Sequence, residues 1–250
     1  MDEKRYAILG DIHANIDALE VVLRDAAEQG VTDYMCVGDV VGYNAAPREC
    51  VDRIRALNAV TIRGNHDHYS ASNASLDDFH PMAATVVDWT RRQLSGDQLA
   101  WLRSLPYVYT LPGIGGFMMV HGTLDQPQEW GYVFDALDAE ASFSDQKFPL
   151  CFHGHTHVPI IFTRRGTTIE ERRPVPTEEL KIALGAKYFV NVGSVGQPRD
   201  GNPRASYCIY TPKDKTVRFR RLDYDVAAAQ ARIRAAGLPE RLASRLAEGR

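Results

Sequence analysis

Histidine and aspartate are unevenly placed in this chain. Six of its eight histidines fall in a few short clusters: Asp11-Ile-His13, Gly64-Asn65-His66-Asp67, His121-Gly122 and His153-Gly-His155-Thr-His157, with Gly38-Asp39 a further cluster that carries none. Each follows a short apolar run. Two residues apart on an extended segment, Asp11 and His13 would point the same way and reach one ion; His155 and His157 repeat that spacing. Asp39 brings two oxygens that can bridge two cations, Asn65 a neutral carbonyl oxygen and His121 a further imidazole. This pool of oxygen and nitrogen donors without thiolate favours manganese, iron, zinc or nickel over calcium, and leaves room for two ions. Taken singly the residues have plainer accounts, as a core histidine or as turn and cap residues. Those accounts would have to hold five times over, at the same kind of position.

The elements that must carry these residues follow from the apolar pattern. Residues 6–9, 34–37 and 60–62 are short apolar runs, each leading to a glycine, and read as buried strands. Between them Ile16, Leu19, Val22, Leu23 and Ala26 recur at helical spacing, with Asn15 as N-cap and Gly30 as stop. A second helix has Pro47 in its first turn and Val51, Ile54 and Leu57 on its apolar face. Alternating strand and helix implies a parallel sheet with ligands beyond the carboxyl ends of its strands. Residues 68–111 read as helical, with a capping box from Ser95 to Gln98 and a core stripe of Met82, Val86 and Trp89. Strands are expected at 116–120, 150–152, 158–163, 188–192, 205–210 and 216–220. The polar stretch 164–187, with Pro174 and Pro176, reads as an irregular excursion or hairpin. The tail 223–250 reads as two short helices interrupted at Gly237-Leu-Pro239, packed on the domain formed by 1–222.

Composition bounds the class. At 250 residues, 44% hydrophobic and 24% charged, the chain suits one globular domain that folds without a structural metal, so a metal site here would do chemistry. A net charge of −3 argues against a dedicated nucleic-acid surface, while bound cations would supply a positive field for phosphate. Cys36, Cys50, Cys151 and Cys208 form no CxxC pair and read as reduced, buried hydrophobes. No apolar run approaches the roughly 20 residues that span a bilayer, and no signal-peptide core precedes Tyr6. A cytoplasmic protein without membrane association is expected.

The joint set Asp11-x-His13, Gly38-Asp39, Gly64-Asn65-His66-Asp67, His121 and Gly154-His155-x-His157 resembles the calcineurin-like metallophosphoesterase superfamily. Its five blocks stand in the family order across about residues 6–210. The runs from Gly38 to Tyr43 and from Gly193 to Arg199 look like the compact bacterial phosphodiesterase-like branch. The resemblance implies an α/β fold of two facing mixed β-sheets flanked by helices. It implies two divalent transition-metal ions, manganese first among them, with iron, zinc or nickel as alternatives. Asp11, His13 and His157 would hold one ion, Asn65, His121 and His155 the other, and Asp39 would bridge them. A hydroxide between the ions would attack phosphorus in line, and His66 would protonate the leaving oxygen with Asp67 as its orienting partner.

Where the sequence departs from the family it narrows the substrate. Ala14 replaces a common glycine and leaves the ligands intact. Phosphoprotein phosphatases of the superfamily carry an Asp-Arg pair shortly after the bridging Asp, and here the stretch reads Val40-Val-Gly-Tyr-Asn44. Without that bidentate clamp the expected substrate is a small phosphodiester, nucleotides included. Tyr43 would line the site, and Arg63 and Arg199 would be the available phosphate contacts. A phosphomonoesterase or phosphoprotein phosphatase is the alternative, and a non-catalytic metal-binding scaffold the alternative of another class. Trp130, Tyr132 and Phe134 read as a loop packed on the core, with a base-stacking wall as the other reading. The sequence does not set the oligomeric state.

Overall fold

A computed structural model describes residues 4–77, 80–175 and 178–250 of the chain. The first apolar run forms β1 (Tyr6–Leu9), followed by α1 (Ile16–Glu28), β2 (Asp33–Cys36), α2 (Pro47–Ala56) and β3 (Val60–Thr61). The cap signals act as expected: the Asn15 side chain accepts from the Ala18 N–H, and Pro47 opens α2. Three helices follow, α3 (Asn65–Ala71), α4 (Pro81–Gln93) and α5 (Gly96–Ser104). Ser95 and Gln98 close a reciprocal capping box on α5. The helical stretch ends there, earlier than the spacing predicts. β4 (Val108–Leu111) is a strand, because it finds an antiparallel partner in β5 (Phe117–Val120).

The remaining elements are α6 (Ala136–Asp145), β6 (Leu150–His153), β7 (Ile160–Arg165), β8 (Thr168–Arg172), β9 (Glu179–Lys181), β10 (Ala186–Asn191), β11 (Ala205–Thr211), β12 (Thr216–Leu222), α7 (Val226–Ala235) and α8 (Glu240–Glu248). The excursion at 164–187 is more regular than expected. β8 forms a hairpin with β7, and β9 crosses to pair with β12 in the other sheet. Pro176 lies outside the described residues. Helix α6 is absent from the sequence expectations; its one local signal is Asp135, whose side chain accepts from the Leu137 and Asp138 N–H groups.

The strands form two mixed sheets of six, in the orders β3-β2-β1-β11-β12-β9 and β4-β5-β6-β10-β7-β8. Strand alternation divides the side chains between layers. Ile8, Val37, Phe152, Val190 and Tyr210 meet between the sheets. Ala7, Leu9, Tyr207 and Ile209 face outward onto α1 and α2, and Cys151, Phe162 and Phe189 face the other way onto α6. The result is helix, sheet, sheet, helix, the architecture that the resemblance implies. All four cysteines are free and buried. No helix among the described residues is long and apolar enough to cross a membrane.

Parallel pairing decides where the chemistry-bearing residues gather. β1, β2 and β3 run parallel in one sheet, and β5, β6 and β10 in the other. Their carboxyl ends carry the histidine and aspartate clusters.

Candidate metal centre

The loops leaving the strands are tied to one another by backbone hydrogen bonds. Asp11 N donates to Gly38 O at 3.1 Å, His13 N to Asp39 O at 2.9 Å and Gly154 N to His121 O at 3.0 Å. Asp67 stitches the same region from below. Its carboxylate accepts from the N–H groups of Asp39, Val40, Val41 and Gly64 at 2.8–3.2 Å.

Asp11, His13, Asp39, His155 and His157 all have φ between 48° and 70°. Such left-handed backbone is uncommon for non-glycine residues, and residues held there cost on the order of 1–3 kcal/mol each. This corrects the pleated-segment expectation: Asp11 and His13 converge with both in left-handed backbone in the loop beyond β1. His155 and His157, at the same spacing, diverge into different groups. Glycine is needed where these loops meet. A Cβ on Gly64 would lie 2.1 Å from Asp39 Oδ1, and one on Gly154 would lie 2.3 Å from Asp11 Oδ2.

Asp11, His13 and His157 bring ligand atoms within 4.8 Å of one another, as do Asp39, His121 and His155, and also His13, Asp39 and His66. The imidazole tautomers follow from their partners. His13 Nδ1 lies 3.0 Å from Val41 O, His121 Nδ1 2.8 Å from Val37 O and His157 Nδ1 2.7 Å from Gln197 O. A carbonyl oxygen only accepts, so each Nδ1 carries the hydrogen and each Nε2 presents its lone pair inward.

His13 Nε2 and His157 Nε2 then face each other at 3.0 Å, an arrangement that calls for a positive charge between them. Asp39 Oδ1 accepts the His66 N–H at 2.8 Å, while Oδ2 points at His13 Nε2 (3.6 Å) and His121 Nε2 (3.2 Å). Asp39 Oδ2, Asn65 Oδ1, His121 Nε2 and His155 Nε2 are buried without a hydrogen-bond partner among the described residues. So many inward-facing acceptors in one dry place fit divalent cations.

Electrostatics agrees. Burial holds the His13, His155 and His157 imidazoles well below their usual range, so they are neutral donors. Burial also pushes Asp39 up, but His121, His66 and His13 more than offset it and keep the carboxyl below the usual range. Burial lowers His121, and Asp39 outweighs it, to about 9.

The other expected residues divide. Tyr43 packs its ring 4.7 Å from His13 and 4.4 Å from His66. Arg199 lies with its Cζ 5.3 Å from the Tyr43 ring, and its charge is felt at His13, His66 and His157. Arg63 turns elsewhere: its guanidinium donates to Tyr107 Oη at 3.1 Å and to the Arg103 carbonyl, and stacks on Tyr107. Trp130 packs on His68, Tyr69 and Tyr107, as a packed loop predicts. Tyr132 and Phe134 do not follow that expectation. They are 50% and 62% exposed, and Tyr132 stacks on His155 at 4.0 Å. His153 stays in the core, stacked on Phe189 at 4.0 Å.

A family model for the calcineurin-like phosphoesterase superfamily domain matches residues 5–215. The chain belongs to that superfamily. As a calcineurin-like phosphoesterase it is placed among divalent-metal-dependent hydrolases of phosphate esters, and the clustered donors are its candidate metal-binding residues. An uncharacterized protein of Methanocaldococcus jannaschii is 37% identical over 253 residues, covering 100% of both chains. The crystal structure of a metallophosphoesterase from Sphaerobacter thermophilus superposes with a TM-score of 0.88 at 42% identity, again over 100% of both chains. That of a hypothetical protein from Pyrococcus horikoshii has the same fold, with a TM-score of 0.79 at 21% identity over 98% of each chain.

Two residues at the phosphoesterase's site are given no role by the sequence reading. Gln197, fully buried within the 193–199 run, fixes the His157 tautomer through its carbonyl. Arg245, on the last helix, reaches the Tyr43 ring at 6.0 Å.

Proposed function

We propose that this protein is a two-metal phosphodiesterase acting on a small, nucleotide-like ester. The observation that carries the reading is the pair of inward-facing donor groups joined through Asp39, with His66 beside them and Tyr43 in place of a phosphate-gripping arginine. Asp11, His13 and His157 are suited to hold one cation and Asn65, His121 and His155 the other, with Asp39 between. Two divalent cations held there would supply a water acidic enough to attack at neutral pH and positive charge for the phosphoryl oxygens.

The chain's own contribution is orientation and proton transfer. His66 is fixed at its backbone by Asp39 and at its ring by Tyr43 and His13, where it can give a proton to the departing oxygen. Burial pushes its imidazole down to about 4, partly opposed by Asp39. A bound phosphate's negative charge raises it again, the direction a proton donor needs. Asp67 uses both carboxylate oxygens on backbone N–H groups, so its contacts support a role in holding the Asp39 and Gly64 loops together. The half-exposed Tyr132, stacked on His155 and parallel to Phe134 at 5.3 Å and 5°, offers an aromatic face to a base or aryl group.

The test is hydrolysis of bis-(p-nitrophenyl) phosphate against p-nitrophenyl phosphate by protein stripped with chelator and reconstituted with manganese. Diester turnover should dominate and disappear when chelator is restored. Preferential monoester turnover would overturn the reading.

A further inference from the structure

The tail does more than cover the outside of the fold. Helices α7 and α8 pack Ala229, Ile233, Leu242, Ala243 and Leu246 against Val86 of α4, and Tyr43 joins the edge of that cluster. Gly249, in the left-handed region at φ 64°, ends α8. Its carbonyl accepts the Gly201 N–H at 3.0 Å, so the end of α8 is fastened to the loop that carries Arg199.

Arg199 and Arg245 are thereby gathered over one ring. Their Cζ atoms lie 5.3 and 6.0 Å from the Tyr43 centroid, and Tyr43 packs directly on His13 and His66. Neither guanidinium is paired with a side-chain carboxylate among the described residues. Nearby carboxylates are committed elsewhere, Asp200 to Arg221 and Glu248 to Arg241. Arg199 donates to the Gln197 side chain, a neutral acceptor, and Arg245 Nε donates to a main-chain oxygen of Arg250, while Arg199 Nε is buried without a partner. Burial and the Arg199 charge push Arg245 down to about 10, which leaves it a cation at neutral pH. Two guanidiniums close to a phosphoesterase centre, neither committed to a side-chain carboxylate, form a site for an anion, and their donor geometry suits phosphate.

We propose that Arg199 and Arg245 form a second phosphate subsite on the His13 side of the centre, selecting substrates that carry another phosphoryl group besides the one attacked. The subsite rests on the phosphodiesterase reading for the scissile group, but its binding can be measured separately.

Metal-free protein is titrated calorimetrically with thymidine 3′,5′-bisphosphate and thymidine 5′-monophosphate. Turnover of the manganese form is followed on the p-nitrophenyl ester of thymidine 5′-phosphate, with and without a 3′-phosphate. The second phosphate should improve binding and KM at least about 10-fold, the scale of hydrogen bonds to charged groups. Arg245→Gln should erase most of that advantage and Arg245→Lys should keep part of it. Arg234→Gln, exposed on α7 and paired with Glu240, should leave the advantage in place. Equal affinity for both nucleotides, or an advantage that survives Arg245→Gln in a folded variant, overturns the subsite even if diesters are hydrolysed. A binding advantage lost in Arg245→Gln, without turnover of either ester, upholds the subsite and sinks the phosphodiesterase reading instead.

Discussion

The seven candidate ligands form the floor of the site, and Tyr43, Tyr132, Arg199 and Arg245 form its rim. On the floor, Asp11, His13, Asp39, His121, His155 and His157 are 0–5% exposed, and three of the imidazoles are fixed by backbone carbonyls. Five of the seven hold left-handed backbone. The rim is assembled otherwise. Its side chains come from separate segments, are long or aromatic, and are placed by packing between elements far apart in the chain. The floor is therefore a local property of strand ends, while the rim depends on where the last helix and the 193–202 loop dock. Chemistry common to a family can reside in the first, and choice of substrate in the second.

The sharpest test of this division is to remove the floor's proposed proton donor while leaving its candidate ligands. His66→Ala should lower kcat by about 10²- to 10⁴-fold, the usual worth of a positioned acid, with metal content measured by atomic emission unchanged. Near-wild-type turnover would take His66 out of the chemistry. Metal loss would instead make it a ligand, as its place within 4.8 Å of His13 and Asp39 allows.

A smaller effect is expected one layer down. Asp67→Asn keeps the size of the side chain but replaces one acceptor oxygen with an NH₂ group, and the carboxylate serves four N–H groups. At least one of those backbone donors would then face another donor. Metal affinity should fall about 10- to 100-fold, as for other groups that stand behind a ligand, with KM for substrate following only through metal occupancy. A metal titration indistinguishable from wild type would show that the floor does not depend on this stitching.

The same division explains what is legible in the sequence. The clusters at the ends of β1, β2, β3, β5 and β6 are legible because ligand chemistry and strand termination are both written within a few residues. Their grouping is not. The run from His153 to His157 presents three histidines at even spacing, yet His153 is the last residue of β6 and stacks on Phe189, while the other two turn into different donor groups. A two-residue period holds only while the chain is extended, and here the extended chain stops at His153. Helix α6 is hidden because only three of its ten residues are buried, too few to set a period. Strand β4 is hidden because its pairing with β5 is tertiary.

Tyr132 is where floor and rim touch, so its replacement tests whether they are separable. The ring lies 4.0 Å from His155 at an interplanar angle of 24° and remains 50% exposed. If it serves only as a stacking face, Tyr132→Ala should raise KM for a nucleotide p-nitrophenyl ester by about 5- to 150-fold, the equivalent of 1–3 kcal/mol of base stacking. A methyl p-nitrophenyl ester measured beside it has the same leaving group and no base, and should shift much less. Tyr132→Phe should restore the nucleotide KM, because the face survives and only the hydroxyl is lost. If the ring instead serves to hold His155 in place, both esters should suffer together and one equivalent of metal should be lost. Metal content and the ratio of the two KM values, measured on the same preparation, separate these outcomes.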